Sequence, residues 1–289
     1  MRNIQTTPQA SLQTGVILSA IIPKGHHLPR TIRIAQDERV FEAWAFSAPW
    51  LEQALEAPLK AYLVQLAESE SDGTPPIILG LEDELYSNGL RHLPDDVCPV
   101  AGTVLQIKDL IAMIKADPLR SFVTHVFERR DVVNAFWTMP ASGRDHHSYP
   151  GGLAVHSGEV ANDLSLQHGL TTLEADLGVA GALLHDIGKV WSYTCDMFPN
   201  AASLAMGHEL VGLSRLEPQL ARLELAWPDG AYVMRSLLSG NSRMRENGSL
   251  PSALLQRIKA CDQRSCERDL AARGGYHNRR PVWTPEPWR

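Results

Sequence analysis

Between Thr172 and Lys189 the chain reads Thr-Leu-Glu-Ala-Asp-Leu-Gly-Val-Ala-Gly-Ala-Leu-Leu-His-Asp-Ile-Gly-Lys, and this stretch constrains the fold more than any other. Thr171-Thr172-Leu173-Glu174 has the form of a capping box, in which a Thr hydroxyl and a Glu carboxylate satisfy the free N–H groups of a helix start. Leu177, Ala180, Leu183 and Leu184 then recur at helical spacing. The helix is apolar nearly all round, so it needs neighbours on every side. A His and an Asp side by side at the end of such a helix, His185 and Asp186, are costly to desolvate unless something compensates. A divalent metal does so, because it binds neutral imidazole and ionised carboxylate. Gly188 reads as the C-cap of this helix and Lys189 as a cation beside the pair.

Two further residues fit the same chemistry. Gly151 to Ala161 reads as a turn running into a helix, with Leu153, His156 and Val160 on one face. A lone His on an apolar face is usually a hydrogen-bonded core residue, and His156 gains its interest from the His185-Asp186 pair. Far downstream, Leu254, Leu255, Ile258 and Cys261 form an apolar stripe with Asp262 at its edge. His156, His185, Asp186 and Asp262 are therefore the candidate metal ligands.

The first part of the chain has a different texture. Gly15–Ile22, Thr31–Ala35, Val40–Phe46, Leu59–Leu66 and Pro76–Leu81 read as strands, and Pro49–Leu55 as a short helix among them. Short strands with one helix suggest a small barrel, of which the OB-fold is a common example in nucleic-acid enzymes. Val40, Trp44 and Phe46 fall on one side of their strand. The two aromatics are candidates for base stacking or, equally, for the barrel core. Residues 94–106 read as a polar, Pro-bearing linker, and the pattern after it is helical. The expected fold class is thus α+β: an OB-like barrel over 1–93, an all-helical domain over 107–272, and an irregular, basic, aromatic tail over 273–289.

Composition narrows the partners. Hydrophobic residues make up 44% of 289, enough for a real core. A net charge of −6 argues against a protein that coats duplex nucleic acid, without excluding a local basic groove. No apolar run approaches bilayer-spanning length, and the start of the chain does not read as a signal peptide. The four cysteines form no C-x-x-C pair, which suits a reducing compartment, so the expected location is cytoplasmic with no membrane contact.

The order His156, His185-Asp186, Asp262 resembles the HD superfamily of metal-dependent phosphohydrolases. Pro140 to Leu153, with Pro140-Ala141, His146-His147 and Gly151-Gly152-Leu153, is similar to the corresponding segment of YhaM-type 3′–5′ exoribonucleases. So are Gly181–Lys189, ending in His-Asp-Ile-Gly-Lys, and Gly207-His208-Glu209. That family places an OB-fold before its HD domain. The resemblance implies a divalent metal on His156, His185, Asp186 and Asp262, with Mn the preferred choice and Fe, Zn or Ni compatible with the same ligands. The resemblance suggests that His146 and His147 line the substrate path. Beside the metal ligand Asp186, Lys189, and with it His208 or Arg243, could hold phosphate oxygens as charge develops, and an OB-like barrel would offer Trp44 and Phe46 to the substrate strand. The family also carries histidines after the Gly-His element, where this chain has Leu237 to Arg243 and none. One tight metal is therefore expected, with a second weak or absent, and Asn241 a poor substitute ligand. The implied activity is 3′–5′ exonucleolytic hydrolysis of single-stranded RNA or DNA. The same site would serve a phosphohydrolase of nucleotides or cyclic nucleotides, with the barrel as a dimer or docking element. HD-like domains of mobile-element relaxase proteins share a similar run, which leaves a non-catalytic nucleic-acid-binding module as a third reading.

Overall fold

The computed structural model describes residues 10–24, 28–37, 39–67, 73–240 and 250–274. The chain is α+β and divides into two compact units. One comprises Met1–Val97 together with Phe127–Asn134, the other Cys98–Val126 together with Ala135–Arg289. Arg243, Asn241 and the tail from Gly275 onward lie outside the described residues. Among the described residues no helix is long and apolar enough to cross a membrane.

The first unit is built from β1 (Ala10–Ile21), β2 (Arg30–Gln36), β3 (Arg39–Ala45), α1 (Pro49–Glu56), β4 (Lys60–Ala67) and β5 (Ile77–Asn88). The strands lie in the order β1-β2-β3-β5-β4 and the sheet closes on itself. Closure depends on β1, whose first half pairs with β4 from Ala10 to Val16 and whose second half pairs with β2 from Val16 to Ile21. All pairings are antiparallel except the short parallel contact of β3 with β5 at Trp44 and Ile77. Closure leaves few unpaired strand edges, the usual weak point of an open sheet.

Ile17, Ile32, Ile34, Val64, Leu66 and Ile78 fill the interior with Ala43 and Ala45 of β3 and with Leu51 and Ala54 of α1. The face of β3 corrects one of the two readings of its aromatics. Ala43 and Ala45 point inward, whereas Trp44 is half-buried and Phe46 exposed, so neither belongs to the barrel core. Alanines on β3 leave the space that the α1 side chains occupy, and a strand alternates faces, so the aromatics must turn outward.

Phe127–Asn134 ties into this unit through two charged side chains. Glu128 accepts the N–H groups of Gly89 (2.7 Å) and Leu90 (3.3 Å). Arg130 donates to the carbonyls of Ala54 (3.1 Å) and Ala57 (3.0 Å) at the end of α1, and to that of Ile17 (3.0 Å) on β1. The last carbonyls of a helix lack intrahelical partners and carry partial negative charge, which a guanidinium satisfies.

The second unit contains α2 (Thr103–Met113), most of α3 (Asp117–Phe127), α5 (Gly152–Ser165), α6 (Thr172–Leu184), α7 (Lys189–Ser192), α8 (Ala201–Met206), α9 (His208–Ala226), α10 (Pro228–Leu238) and α11 (Leu250–Ala272); the short α4 (Arg130–Ala135) belongs almost wholly to the first unit. The capping box at Thr171 and Glu174 is formed. As its apolar circumference requires, α6 is enclosed, packing against α2, α5, α10 and α11. Every residue from Asp176 to Leu184 is buried. Buried Asp176 accepts the N–H groups of Lys115 (2.9 Å) and Ala116 (2.8 Å) just before α3, so its charge is not stranded in the core.

Candidate metal centre

Three helices of the second unit deliver the candidate ligands. His156 points inward from α5 and is fully buried. His185 ends α6 as its C-cap, and Asp186 follows it. Asp262 comes from the edge of the apolar stripe of α11. His156 Nε2 lies 3.1 Å from Asp262 Oδ1 and 3.7 Å from Asp186 Oδ2, and His185 Nε2 lies 3.4 Å from Asp186 Oδ2. One ligand atom each from His156, His185 and Asp262 fall within 4.8 Å of one another. The Nε2 atoms of both histidines are buried and make no hydrogen bond.

The other ring nitrogens explain why. His185 Nδ1 lies 2.7 Å from the carbonyl oxygen of Ala182, which can only accept, so Nδ1 carries a proton. His156 Nδ1 lies 3.0 Å from the Ser265 hydroxyl, which itself donates to Glu159 Oε2 at 2.6 Å. With its hydrogen committed to Glu159, Ser265 Oγ accepts from His156, so this Nδ1 is protonated too. When neutral, both rings therefore present a bare Nε2 lone pair to the cluster. That is the tautomer a metal requires, fixed by the outer partners. Two inward lone pairs beside two carboxylates fit a divalent ion.

Asp186 is held from both sides. Its Oδ2 receives Lys189 Nζ at 2.6 Å, which also donates to the carbonyl of Ala141 at 2.8 Å, and its Oδ1 lies 3.0 Å from His208 Nε2. Burial would raise the Asp186 pKa, but Lys189 and His185 outweigh it and hold the carboxyl well below its usual range. Burial likewise opposes charge on His185, yet Asp186 and Asp262 raise it to about 8. In the metal-free protein a proton on His185 thus adds to the Lys189 ammonium as positive charge beside the two carboxylates. His146 moves the other way, to about 4, through burial and then the nearby His156 and Lys189.

Gly188 corrects the C-cap reading. Its φ is −60°, and it precedes α7 without closing α6. Its hydrogen in place of a side chain matters for another reason: a Cβ there would meet the His208 carbonyl oxygen at 1.9 Å. A Cβ on Gly212 would in turn meet the Gly188 Cα at 2.8 Å. The start of α9 therefore lies directly on the Asp186–Lys189 loop, which is what brings His208 to Asp186.

The adjacent histidines separate. The His146 ring is half-buried with its centroid 4.8 Å from that of His156, facing the cluster. His147 is 1% exposed and has a φ of 46°. Its N–H goes to Asp269 at 2.7 Å, its Nε2 lies 3.4 Å from Glu159, and its carbonyl accepts the N–H of Ala141 at 3.0 Å. Gly152 must be glycine to pass this carbonyl, which a Cβ would approach to 2.0 Å. Arg273 fastens the same loop, donating to Ser148 Oγ at 2.8 Å and to the carbonyl of Asp145. Sequence reasoning missed Ser265, Glu159 and Asp269. A signal was present, because Glu159 stands three residues after His156 and Ser265 three after Asp262, each on the ligand face of its helix. Trp44 and Phe46 belong to the other unit.

Comparison with known proteins adds one partial match. No protein-family model and no solved structure matches the chain. The chain is 34% identical over 100 residues to the 3′-5′ exoribonuclease YhaM of Halalkalibacterium halodurans, a stretch covering 34% of this chain and 28% of that protein. The chain is thus similar to an exoribonuclease over part of its length.

Proposed function

We propose that this chain is a metal-dependent phosphodiester hydrolase that shortens single-stranded RNA or DNA from its 3′ end. The observation that carries the proposal is the pair of buried Nε2 atoms on His156 and His185, which make no hydrogen bond and face carboxylate oxygens of Asp186 and Asp262 at 3.1 to 3.7 Å. The partial similarity to an exoribonuclease supplies the substrate class. In this reading His156, His185, Asp186 and Asp262 hold one divalent ion, with Mn²⁺ the first choice. When bound, the ion supplies positive charge against phosphate oxygens and makes water more acidic.

The surrounding residues have roles of their own. Lys189 uses two of its N–H groups on Asp186 and Ala141, which anchors an ammonium beside the phosphate position. His208, oriented by Asp186, is placed to hold a proton near the departing oxygen. His146 faces the cluster and would line the entry of the strand. His147 holds the loop in place. On the barrel, Trp44 and Phe46 turn outward and offer faces on which bases can stack. The closed five-stranded order is that of an OB-like barrel, in keeping with such a role.

The test is metal-stripped protein with Mn²⁺ and single-stranded RNA or DNA labelled at either end, beside Asp186→Ala. Stepwise loss from the 3′ end, absent in the variant, is the expected result. Hydrolysis of free nucleotides with both polymers left intact moves the assignment to a nucleotide phosphohydrolase. Tight metal binding with neither activity overturns the enzymatic reading and leaves a nucleic-acid-binding module.

A further inference from the structure

The face of α11 that carries Asp262 also carries Cys266 one turn further on, and the two side chains touch, with Cys266 Sγ 3.5 Å from Asp262 Oδ1. Cys266 has two imidazoles for neighbours. One ligand atom each from His146, His156 and Cys266 fall within 4.8 Å of one another, as do those of His156, His185 and Asp262. His156 belongs to both groups, and its Nε2, 3.1 Å from Asp262 Oδ1, is buried and makes no hydrogen bond. This imidazole thus stands between two sets of donors. On one side are an imidazole and a carboxylate, on the other an imidazole and a thiol.

We propose that His146, His156 and Cys266 form a second metal site, overlapping the first, which takes a thiophilic divalent ion such as zinc or cadmium and excludes the hydrolytic metal. The exclusion rests on the function proposed above; the thiolate site itself does not. The donors decide the selectivity. Thiolate with imidazole favours zinc and its heavier congener cadmium, whereas oxygen-rich ligation suits manganese. Zinc bonds of about 2.3 Å to sulfur and about 2 Å to nitrogen place bound donors roughly 3.5 Å apart, so closure asks for movement on the order of 1 Å. His146 sits on a loop, not a helix, and can supply it. Binding replaces the Cys266 S–H bond by a sulfur–metal bond and releases the proton to solvent. An ion held this way removes His156 from the hydrolytic set and His146 from the strand entry at once.

Cadmium titration of the metal-stripped full chain tests this, because a cadmium–thiolate bond produces an ultraviolet charge-transfer band that cadmium on His and Asp does not. The expected result is a band in the parent protein and in Cys195→Ser, which removes the exposed thiol, and its loss in Cys266→Ser. Free Mn²⁺, followed by its electron paramagnetic resonance signal, is expected to bind Cys266→Ser as it binds the parent and to be displaced from the parent by cadmium. A band that persists in Cys266→Ser, or cadmium and manganese bound together, overturns the proposal. A Cys266-dependent band with no manganese bound by either protein overturns the hydrolase reading and leaves the thiolate site standing.

Discussion

Replacing Ser265 by Ala isolates the part played by the outer partners of the candidate metal centre. Among the described residues, Ser265 Oγ is the hydrogen-bond partner set against His156 Nδ1, at 3.0 Å, and His156 is fully buried. With the hydroxyl gone, the protonated Nδ1 faces no acceptor. Leaving a buried donor unsatisfied costs about 1–3 kcal/mol. The metal-free protein escapes part of this cost, since the ring can move its proton to Nε2 beside Asp262. The metal-bound protein cannot, because the metal needs Nε2 bare. The difference falls on binding, so Mn²⁺ affinity should drop about 10- to 100-fold, the range seen when such second partners are removed. Calorimetric titration of metal-stripped Ser265→Ala with Mn²⁺ measures it directly, and Ser265→Thr, which keeps the hydroxyl, should restore most of the loss. Unchanged affinity in a folded Ser265→Ala protein would refute the idea that this hydroxyl sets the tautomer of His156.

Three further outcomes follow from particular contacts. Because His185 in the metal-free protein titrates near pH 8 and the metal must displace that proton, Mn²⁺ affinity should rise about tenfold per pH unit below 8 and level off above it, with proton release detectable by titration in buffers of different ionisation enthalpy. Gly188→Ala places a Cβ against the His208 carbonyl and should destabilise the helical unit by about 3 kcal/mol or detach the start of α9, seen as a lowered melting temperature; wild-type stability would show that the loop moves aside at little cost. Arg130→Ala leaves carbonyls of α1 and β1 without their donor and should destabilise the barrel unit by about 3 kcal/mol, read as faster hydrogen exchange of α1 and β1 amides while α6 is unaffected.

What could be read from the sequence was what depends on near neighbours. The capping box at Thr171, the apolar circumference of α6 and the stripe beside Asp262 are local patterns, and the structure contains each of them. The strands of the barrel were visible through alternation and turn residues. Which way β3 faces was not, because the space beside Ala43 and Ala45 is taken by Leu51 and Ala54 of a helix that comes later in the chain. Gly188 looked like a C-cap because a glycine after a helix usually is one. Its real constraint is the backbone of α9, which no local pattern announces. Arg130 lies 73 residues from Ala57 and 113 from Ile17 in sequence, so nothing around it marks it as a clasp on the barrel.

The part α11 plays has a consequence for how the protein comes into being. This helix provides Asp262 to the candidate metal ligands, Ser265 to His156 and Asp269 to the loop at His147, across separations of 109 residues for Ser265 and 122 for Asp269. Contacts so distant along the chain form late, after the local helices are in place. A ribosome that has released α5 and α6 but not α11 therefore carries the histidines without the residues that arm them. On the function proposed above, such a nascent chain cuts no strand, and the site is complete only once the last described helix has docked.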